Sequence, residues 1–330
     1  MVLEDTSGAL PACFFALRFI LHEYSKIFKH MKVFVAGATG VIGRQLVPLL
    51  VESGHDVTGV ARSPAKAAIL NEQGARPVSL DVFDAEAVNR AVGGHDAVIN
   101  VATHIPPTSR LLLPGAFREN DRLRREASHN LSKAGIRAGA GRFIQESFAA
   151  AYPDSGDAFI DESVPLAPAP YVRTVLDAER AALEFTQSGG VGIALRFAFF
   201  YGPESQQTRD IISLVRKRIA PIPGDSKAFI SSIWIADAAA AVVAALNAPA
   251  GAYNVTDDEP VRRRIAFNAL ASTLGVKPPR MLPASLTKLT GSVGETLGRS
   301  LRLSNTRLRE ATGWSPRVRS IIDGWRLLVK

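Results

Sequence analysis

The sequence of 330 residues contains a single cysteine, Cys13, and its hydrophobic segments are all short. One thiol excludes an intrachain disulfide, so we expect a reducing compartment and a cytoplasmic location. A transmembrane helix needs about 20 consecutive apolar residues, and no segment approaches that length. The lack of a second cysteine thus bears on the compartment, and the lack of a long apolar segment predicts that the chain does not span a membrane.

Metal ligands are too few and too scattered to predict a metal site. The six histidines, which include His95 and His104, form no cluster with Cys13. A zinc site needs three or four such ligands at suitable spacing. Three consecutive arginines at 262–264 have no interleaved aromatic residues, so no nucleic-acid motif is present either. We therefore predict neither a metal site nor a nucleic-acid partner.

The net charge of +8 is placed unevenly along the chain. Residues 261–330 contain 14 lysines and arginines against three acidic residues, Glu295, Glu310 and Asp323. Such an excess attracts anions, so a small anionic substrate is one interpretation. The other is a basic face that does no more than contact solvent.

The most informative segment is Gly-Ala-Thr-Gly-Val-Ile-Gly at 37–43, which follows a short apolar run. The run predicts a buried strand, and the residues after the last glycine predict a helix. In such a unit Gly37 makes the turn, Gly40 lets a pyrophosphate approach, and Gly43 lets the helix pack closely. The helix N-terminus then favours the phosphate charge, whereas the alternative is a glycine turn without a ligand. The predicted dinucleotide-binding residues here are Gly37, Thr39, Gly40, Val41, Ile42 and Gly43.

The spacing Gly-x-x-Gly-x-x-Gly and the motifs that follow it resemble the short-chain dehydrogenase/reductase superfamily. Within it the match is to extended and atypical members related to NAD-dependent epimerases and dehydratases. The resemblance covers about residues 31–330. It implies an α/β fold, a doubly wound parallel Rossmann sheet with a smaller carboxyl-terminal substrate lobe, built mainly from about 204–227 and 256–330. Residues 1–30 precede the pattern and are expected to be a disordered extension or an upstream start, with a membrane-surface helix as the alternative.

The end of the predicted second strand bears on the choice of cofactor. An acidic residue about 20 positions beyond the glycine loop would hold the ribose 2′-hydroxyl of NAD. Arg62 stands there instead. A guanidinium donates paired hydrogen bonds to a phosphate, so the sequence favours NADP, with NAD as the alternative.

Three further segments are predicted to line the cofactor. By resemblance, Asp81 and Val82 contact the adenine. Small residues at the end of the fourth predicted strand, Val101 and Ala102, let a cofactor cross the edge of the sheet. The later Arg-x-x-x-x-Tyr-Gly-Pro motif resembles the segment that passes the nicotinamide in the extended family, which implies a position for Phe199 at the redox end.

The catalytic pattern that the resemblance implies is incomplete in this chain. A serine or threonine is expected four residues before Tyr152, but Phe148 stands there and Ser147 is one residue earlier. Adjacent strand residues face opposite sides, so Ser147 substitutes only if a bulge or turn re-aims it. A tyrosine and a lysine four residues apart on one helix face come next in the family. Tyr171 matches the tyrosine, whereas Val175 occupies the lysine position.

The sequence is compatible with two functions. The first is an NAD(P)-dependent oxidoreductase or epimerase/dehydratase-like enzyme that acts on a carbonyl or hydroxyl of a small molecule. Tyr171 would be its acid/base and Ser147 a helper. The second is a non-catalytic NADP-binding sensor or scaffold, which the missing hydroxyl and lysine favour. Because the helix pair beside the tyrosine often forms dimers in related folds, a homodimer is also expected.

Overall fold

The computed structural model describes residues 30–107, 110–113, 115–222, 224–281 and 291–329. The extension predicted for residues 1–30, and with it Cys13, therefore lies outside the described residues except for His30.

A seven-stranded parallel sheet forms the centre of the molecule. The strands in chain order are β1 Lys32–Ala36, β2 Asp56–Val60, β3 Arg76–Val78, β4 Ala97–Asn100, β5 Arg142–Phe148, β6 Phe159–Ile160, β7 Val191–Phe197, β8 Phe199–Tyr201, β9 Phe229–Ile230, β10 Ser232–Trp234, β11 Gly251–Val255, β12 Val261–Arg262 and β13 Arg302–Leu303. Seven of them lie in the order β11-β7-β5-β4-β1-β2-β3, and every neighbouring pair is parallel. The strand order reverses beside β1, which opens a crevice at the carboxyl edge of the sheet.

Helices follow most of the strands of this sheet. They are α1 Gly43–Glu52, α2 Pro64–Glu72, α3 Ala85–Val92, α4 Arg118–Arg122, α5 Ser128–Arg137, α6 Val175–Gln187, α7 Gln206–Arg216, α8 Ile235–Ala245, α9 Arg263–Thr273, α10 Gly291–Gly298, α11 Thr306–Thr312 and α12 Ile321–Leu328. The sequence pattern predicts one long helix from Phe117 to Ala138, and the structure differs from this between α4 and α5. A π-helical turn, Leu123–Ala127, separates them.

Two apolar layers cover the two faces of the sheet. The residues of β1 after Lys32 are all fully buried, as expected for a parallel strand with helices on both sides. On one face α1 and α8 contribute Leu46 and Val242 to the core. On the other face α5 and α6 contribute Leu131 and Phe185. The predicted doubly wound Rossmann fold is therefore confirmed.

A separate apolar cluster forms the core of the smaller lobe. Tyr201, Phe267 and Trp325 are buried in it and come from β8, α9 and α12. The rings of Tyr201 and Trp325 meet edge to face, with centroids 5.2 Å apart. The Tyr201 hydroxyl donates to the Ser320 carbonyl oxygen over 3.1 Å, so the beginning of α12 is fixed against β8.

Part of the basic excess of the carboxyl-terminal region is used in ion pairs. Arg262 lies 2.9 Å from Asp157, and Arg309 lies 3.1 Å from Asp258.

None of the helices in the described ranges has the length and apolar character that a membrane span requires. Over the same ranges no group of three His, Cys, Asp or Glu side chains is placed to hold a metal ion.

The contact between α6 and β7 leaves no room for a side chain at Gly192. A Cβ atom there would lie 1.8 Å from the Ala182 carbonyl oxygen. Gly192→Ala should therefore lower the free energy of unfolding by about 2–3 kcal/mol, because helix and sheet must separate.

Gly141→Ala is the matched control, since the nearest atom to its Cβ is the Asp96 oxygen at 3.9 Å. It should change the free energy of unfolding by less than about 0.5 kcal/mol. Urea denaturation of both variants measures the difference, and equal loss in the two would contradict the close packing at Gly192.

Candidate functional site

The glycine loop joins β1 to α1 at the carboxyl edge of the sheet. Gly37 has a φ of +85°, and a Cβ atom there would lie 2.6 Å from the Ala102 nitrogen. At Gly43 a Cβ atom would lie 2.2 Å from the Gly37 carbonyl oxygen. The Gly40 nitrogen donates to that same oxygen over 2.9 Å, which closes the turn. Both the turn at Gly37 and the close approach at Gly43 thus require glycine.

The first turn of α1 is suited to an anion. The helix begins without a side-chain cap and has no acidic residue in its first turn. Gly40 and Val41 are exposed and Thr39 is half-buried beside them, whereas the Ile42 side chain is buried in the core. Uncapped N–H groups at a helix N-terminus attract a phosphate, and the open glycine lets it approach. The loop therefore fits a pyrophosphate through its backbone.

A cavity of about 630 Å³ lies where the ends of β2 and β3 meet α4. It is lined by Arg62, Ser79, Leu80, Asp81, Phe83, Arg118, Glu119 and Arg122. Nη1 of Arg62 lies 3.8 Å from Oε1 of Glu119. The Arg122 guanidinium lies 3.7 Å from the centre of the Phe83 ring. Sequence reasoning missed Arg118, Glu119 and Arg122, because only the fold brings α4 to the end of β2.

The two residues predicted at the adenine differ in their surroundings. Asp81 is exposed, and its Oδ1 accepts a hydrogen bond of 3.0 Å from the Phe83 nitrogen. Val82 is buried, and its carbonyl oxygen accepts a 3.1 Å bond from the Asn130 side chain. Asn130 thus ties the segment after β3 to α5 and keeps Asp81 at the cavity.

Val101 and Ala102 lie directly against the glycine loop. The Val101 nitrogen donates to the Ala36 carbonyl oxygen over 3.0 Å, and Ala102 is the residue that a Cβ at Gly37 would meet. Phe199 lies on β8 and packs against the core of the smaller lobe. The structure therefore brings Val101 and Ala102 to the glycine loop and places Phe199 at the boundary with the lobe.

Ser147 is part of an interior polar network. It is fully buried, and its hydroxyl donates to Oε1 of Glu179 over 2.6 Å. Glu179 in turn pairs with Nε and Nη2 of Arg196, both at 2.8 Å. The pairing of β5 with β7 runs without a bulge through Phe148, so nothing re-aims the Ser147 side chain. This geometry gives no support to the predicted helper role of Ser147.

Tyr171 lies in a 3₁₀ turn, Pro170–Val172, and not on the helix that the sequence pattern predicts. The helix begins only at Val175, because Pro170 starts a tight turn and β-branched residues follow it. Burial raises the pKa of Tyr171 to about 12, while the Arg124 charge, a hydrogen bond with Thr296 and the Arg299 charge oppose that rise.

The position that holds a lysine in the family pattern holds an apolar residue here, and its surroundings are apolar as well. Val175 is fully buried in a small cluster with Ala151, Ala169 and Val172. Phe148, at the serine position, and Tyr171 pack against the same cluster. Neither the hydroxyl nor the ammonium group of the family pattern therefore has a counterpart at its own position.

Comparison with known proteins identifies relatives along most of the chain. The model of the NAD dependent epimerase/dehydratase family matches residues 33–256. The 3-diazoavenalumate denitrifying reductase of a Streptomyces species is 37% identical over 309 residues, which cover 89% of this chain and 99% of that protein. The 4-hydroxy-2-methyl-3-oxo-4-farnesyl-3,4-dihydroquinoline-1-oxide ketoreductase of Stigmatella aurantiaca is 27% identical over 82% of each chain. The 2-alkyl-3-oxoalkanoate reductase of Stenotrophomonas maltophilia is 28% identical over 83% of this chain and 85% of its own.

Solved structures show the same fold. The UDP-glucose 4-epimerase of Thermus thermophilus, in complex with NAD, superposes with a TM-score of 0.71 at 24% identity. The match covers 91% of this chain and 98% of the epimerase. These matches confirm the resemblance to extended short-chain dehydrogenases. They also confirm the enzyme class, an NAD(P)-dependent oxidoreductase or epimerase. The chain belongs to the NAD dependent epimerase/dehydratase family.

Proposed function

We propose that this protein is an NADP-dependent reductase of a carbonyl group in a small molecule, with Tyr171 as the proton donor. The observation that carries the proposal is the environment of Tyr171. Burial raises the pKa of its phenol to about 12, and Val175 provides no ammonium group to lower it. Such a phenol keeps its proton at neutral pH, so it is suited to give a proton and poorly suited to remove one from an alcohol.

The names of the relatives support the same direction of reaction. All three described above are named as reductases, and the one with 37% identity acts, by its name, on a diazo compound. The other two are named for substrates that carry an oxo group. A small carbonyl compound is therefore the substrate class we propose. Arg262 and Arg309 are paired with acids, so only part of the basic excess is free to attract an anionic substrate.

The residues around the crevice fit a nicotinamide dinucleotide. When bound, its reduced form supplies the hydride. The glycine loop would hold the pyrophosphate through backbone N–H groups, and the cavity at Asp81 would take the adenosine half. Arg62 and Arg118 line that cavity and would bind a 2′-phosphate, which would replace Glu119 as the partner of Arg62. NAD is the alternative, because Asp81 and Glu119 can accept a hydrogen bond from a free 2′-hydroxyl.

A non-catalytic NADP-binding sensor is the second candidate. The specific observation in its favour is the position of Ser147, whose hydroxyl is held by Glu179 at 2.6 Å. Tyr171 then lacks the hydroxyl partner of the family pattern, since Phe148 fills that place. The two candidates predict the same cofactor site and differ in turnover.

Removal of the Arg62 charge tests the cofactor assignment. We expect Arg62→Ala to weaken NADPH binding about 30-fold, or about 2 kcal/mol, because charge-assisted hydrogen bonds to the 2′-phosphate are lost. NADH affinity should change less than about 2-fold. Isothermal titration calorimetry measures both, with Arg137→Ala on the exposed end of α5 as the control. Equal loss for the two nucleotides would contradict a 2′-phosphate site at Arg62.

Removal of the Tyr171 hydroxyl tests catalysis. Tyr171→Phe should lower kcat for NADPH-dependent reduction of a responsive small ketone or 3-oxo acid by about 1,000-fold, because the proton donor is gone. NADPH affinity should stay within about 2-fold. Tyr253→Phe removes another buried hydroxyl, one that donates to the Pro249 carbonyl, and should retain activity. NADPH binding without turnover of any compound in the wild type would favour the sensor.

The pH dependence of reduction follows from the raised pKa of Tyr171. The protonated phenol is the active form, so a raised pKa keeps the group active to higher pH. We expect kcat for reduction to be flat from about pH 6 to pH 9 and to fall only toward the pKa of about 12. Steady-state kinetics at saturating substrate measures the profile. An alkaline decline centred near pH 7 would rule out Tyr171 in this environment as the donor.

A further inference from the structure

Arg124 and Glu146 form a buried ion pair between the π-helical turn and β5. Nη2 of Arg124 lies 3.4 Å from Oε1 of Glu146, and the two side chains are only 3% and 5% exposed. Arg124 lies within the turn Leu123–Ala127. A π turn holds one residue more than an α turn, which changes the direction of its side chains, and such turns are frequent at functional sites.

Stability does not account for this pair. Moving two charges out of water usually costs more than their attraction returns, and apolar side chains of similar volume serve as well or better. Nε of Arg124 and Oε2 of Glu146 are both buried and lack a hydrogen-bond partner among the residues that the structure describes. A partly satisfied pair in the interior is destabilising, so a functional role explains it better.

The strand register places Glu146 at the edge where a cofactor would cross the sheet. Asn100 pairs with Ala36 on one side and with Gln145 on the other. The residues that follow these three along the chain are Gly37 of the glycine loop, Val101 and Glu146. Glu146 therefore lies level with the glycine loop, near the carboxyl end of β5.

Tyr171 is electrostatically coupled to the same guanidinium. The Arg124 charge opposes the rise that burial causes in the pKa of Tyr171. The Thr174 hydroxyl donates to Oδ1 of Asp121 over 2.8 Å. This bond ties the segment that carries Tyr171 to the helix that precedes the π turn. The Tyr171 ring also packs on the ring of Phe117, directly before α4, with centroids 4.9 Å apart, so Tyr171 lies against the helix that leads into the turn with Arg124.

Arg299 is the other cation that influences Tyr171, but it is held by structural contacts. Its Nη1 donates to the carbonyl oxygens of Tyr152 and Ala167 at 2.8 Å and 2.9 Å. Its Nη2 pairs with Glu295 at 2.8 Å. Arg124, by contrast, has an N–H group that no described residue uses.

We infer that Arg124, oriented by Glu146, is the positioning residue that takes over the role of the missing lysine beside Tyr171. The inference rests on the proposed function. As the carbonyl carbon gains hydride, the electron pair of the C=O π bond moves to the oxygen. The O–H bond of Tyr171 breaks and its proton passes to that oxygen. The positive charge of Arg124 then stabilises the tyrosinate until solvent returns a proton.

The first test removes the charge and then restores it. Arg124→Met should lower kcat for reduction by about 100-fold and leave the NADPH Kd within about 2-fold. Arg124→Lys returns a positive charge to the same place and should recover at least a tenth of the wild-type rate. Arg142→Met is the matched control, because Arg142 begins β5 at its opposite end and donates to the Ala248 carbonyl at 2.9 Å. It should leave kcat unchanged.

The second test separates positioning from folding. The double variant Arg124→Met/Glu146→Leu replaces the pair by apolar side chains, so its urea midpoint should be no lower than that of the wild type. We expect it to be as slow as Arg124→Met. A stable double variant with the wild-type kcat would overturn the inference.

The third test needs no turnover. A fluorinated tyrosine incorporated at position 171 titrates at lower pH than tyrosine, and ¹⁹F NMR reports its pKa directly. We expect Arg124→Met to raise that pKa by about two units, in line with the 100-fold loss of kcat, and Arg142→Met to leave it unchanged. A pKa that does not rise in Arg124→Met overturns the inference even in an active reductase. A rise in a protein that reduces nothing supports the charge coupling and contradicts the proposed function instead.

Discussion

The guanidinium of Arg196 is the contact on which the arrangement around Tyr171 depends. It binds both oxygens of Glu179 on α6 at 2.8 Å and also donates to the Tyr152 hydroxyl at 2.6 Å. The Tyr152 hydroxyl in turn donates a hydrogen bond to Oδ1 of Asn254 on β11 over 2.9 Å. Two planar hydrogen bonds and the exclusion of water make such a pair rigid. One side chain therefore links β7 to α6, the helix that follows the turn with Tyr171, and through Tyr152 to β11.

This network also explains why the site differs chemically from the family pattern. Glu179 needs a further donor, and the Ser147 hydroxyl provides it at 2.6 Å. The hydroxyl is consequently used for structure, while an aromatic ring and an aliphatic side chain occupy the two positions that the pattern reserves for polar groups. Charge is instead found on the helix between β4 and β5, where Arg124 is buried. On our inference, the cation that acts on the tyrosine thus comes from a different element of the same fold.

The sheet was predictable from the sequence, whereas much of the site was not. Parallel strands are buried on both faces, so β1 and β4 gave short apolar runs that reveal them without knowledge of their neighbours. The glycine loop was predictable for a similar reason, because its conformation is a local property of Gly37 and Gly43. Arg122 and Arg124 offered no such signal. Their significance depends on contacts with Phe83 and Glu146, and on a π turn that local propensity does not reveal.

The π-helical turn has an evolutionary consequence. A single-residue deletion within Leu123–Ala127 would allow regular α-helical hydrogen bonding, because a π turn holds one residue more than an α turn. The direction of the Arg124 side chain would change, while the sheet and the glycine loop would keep their positions. The loss of one codon would thus alter the placement of this cation without a change of fold.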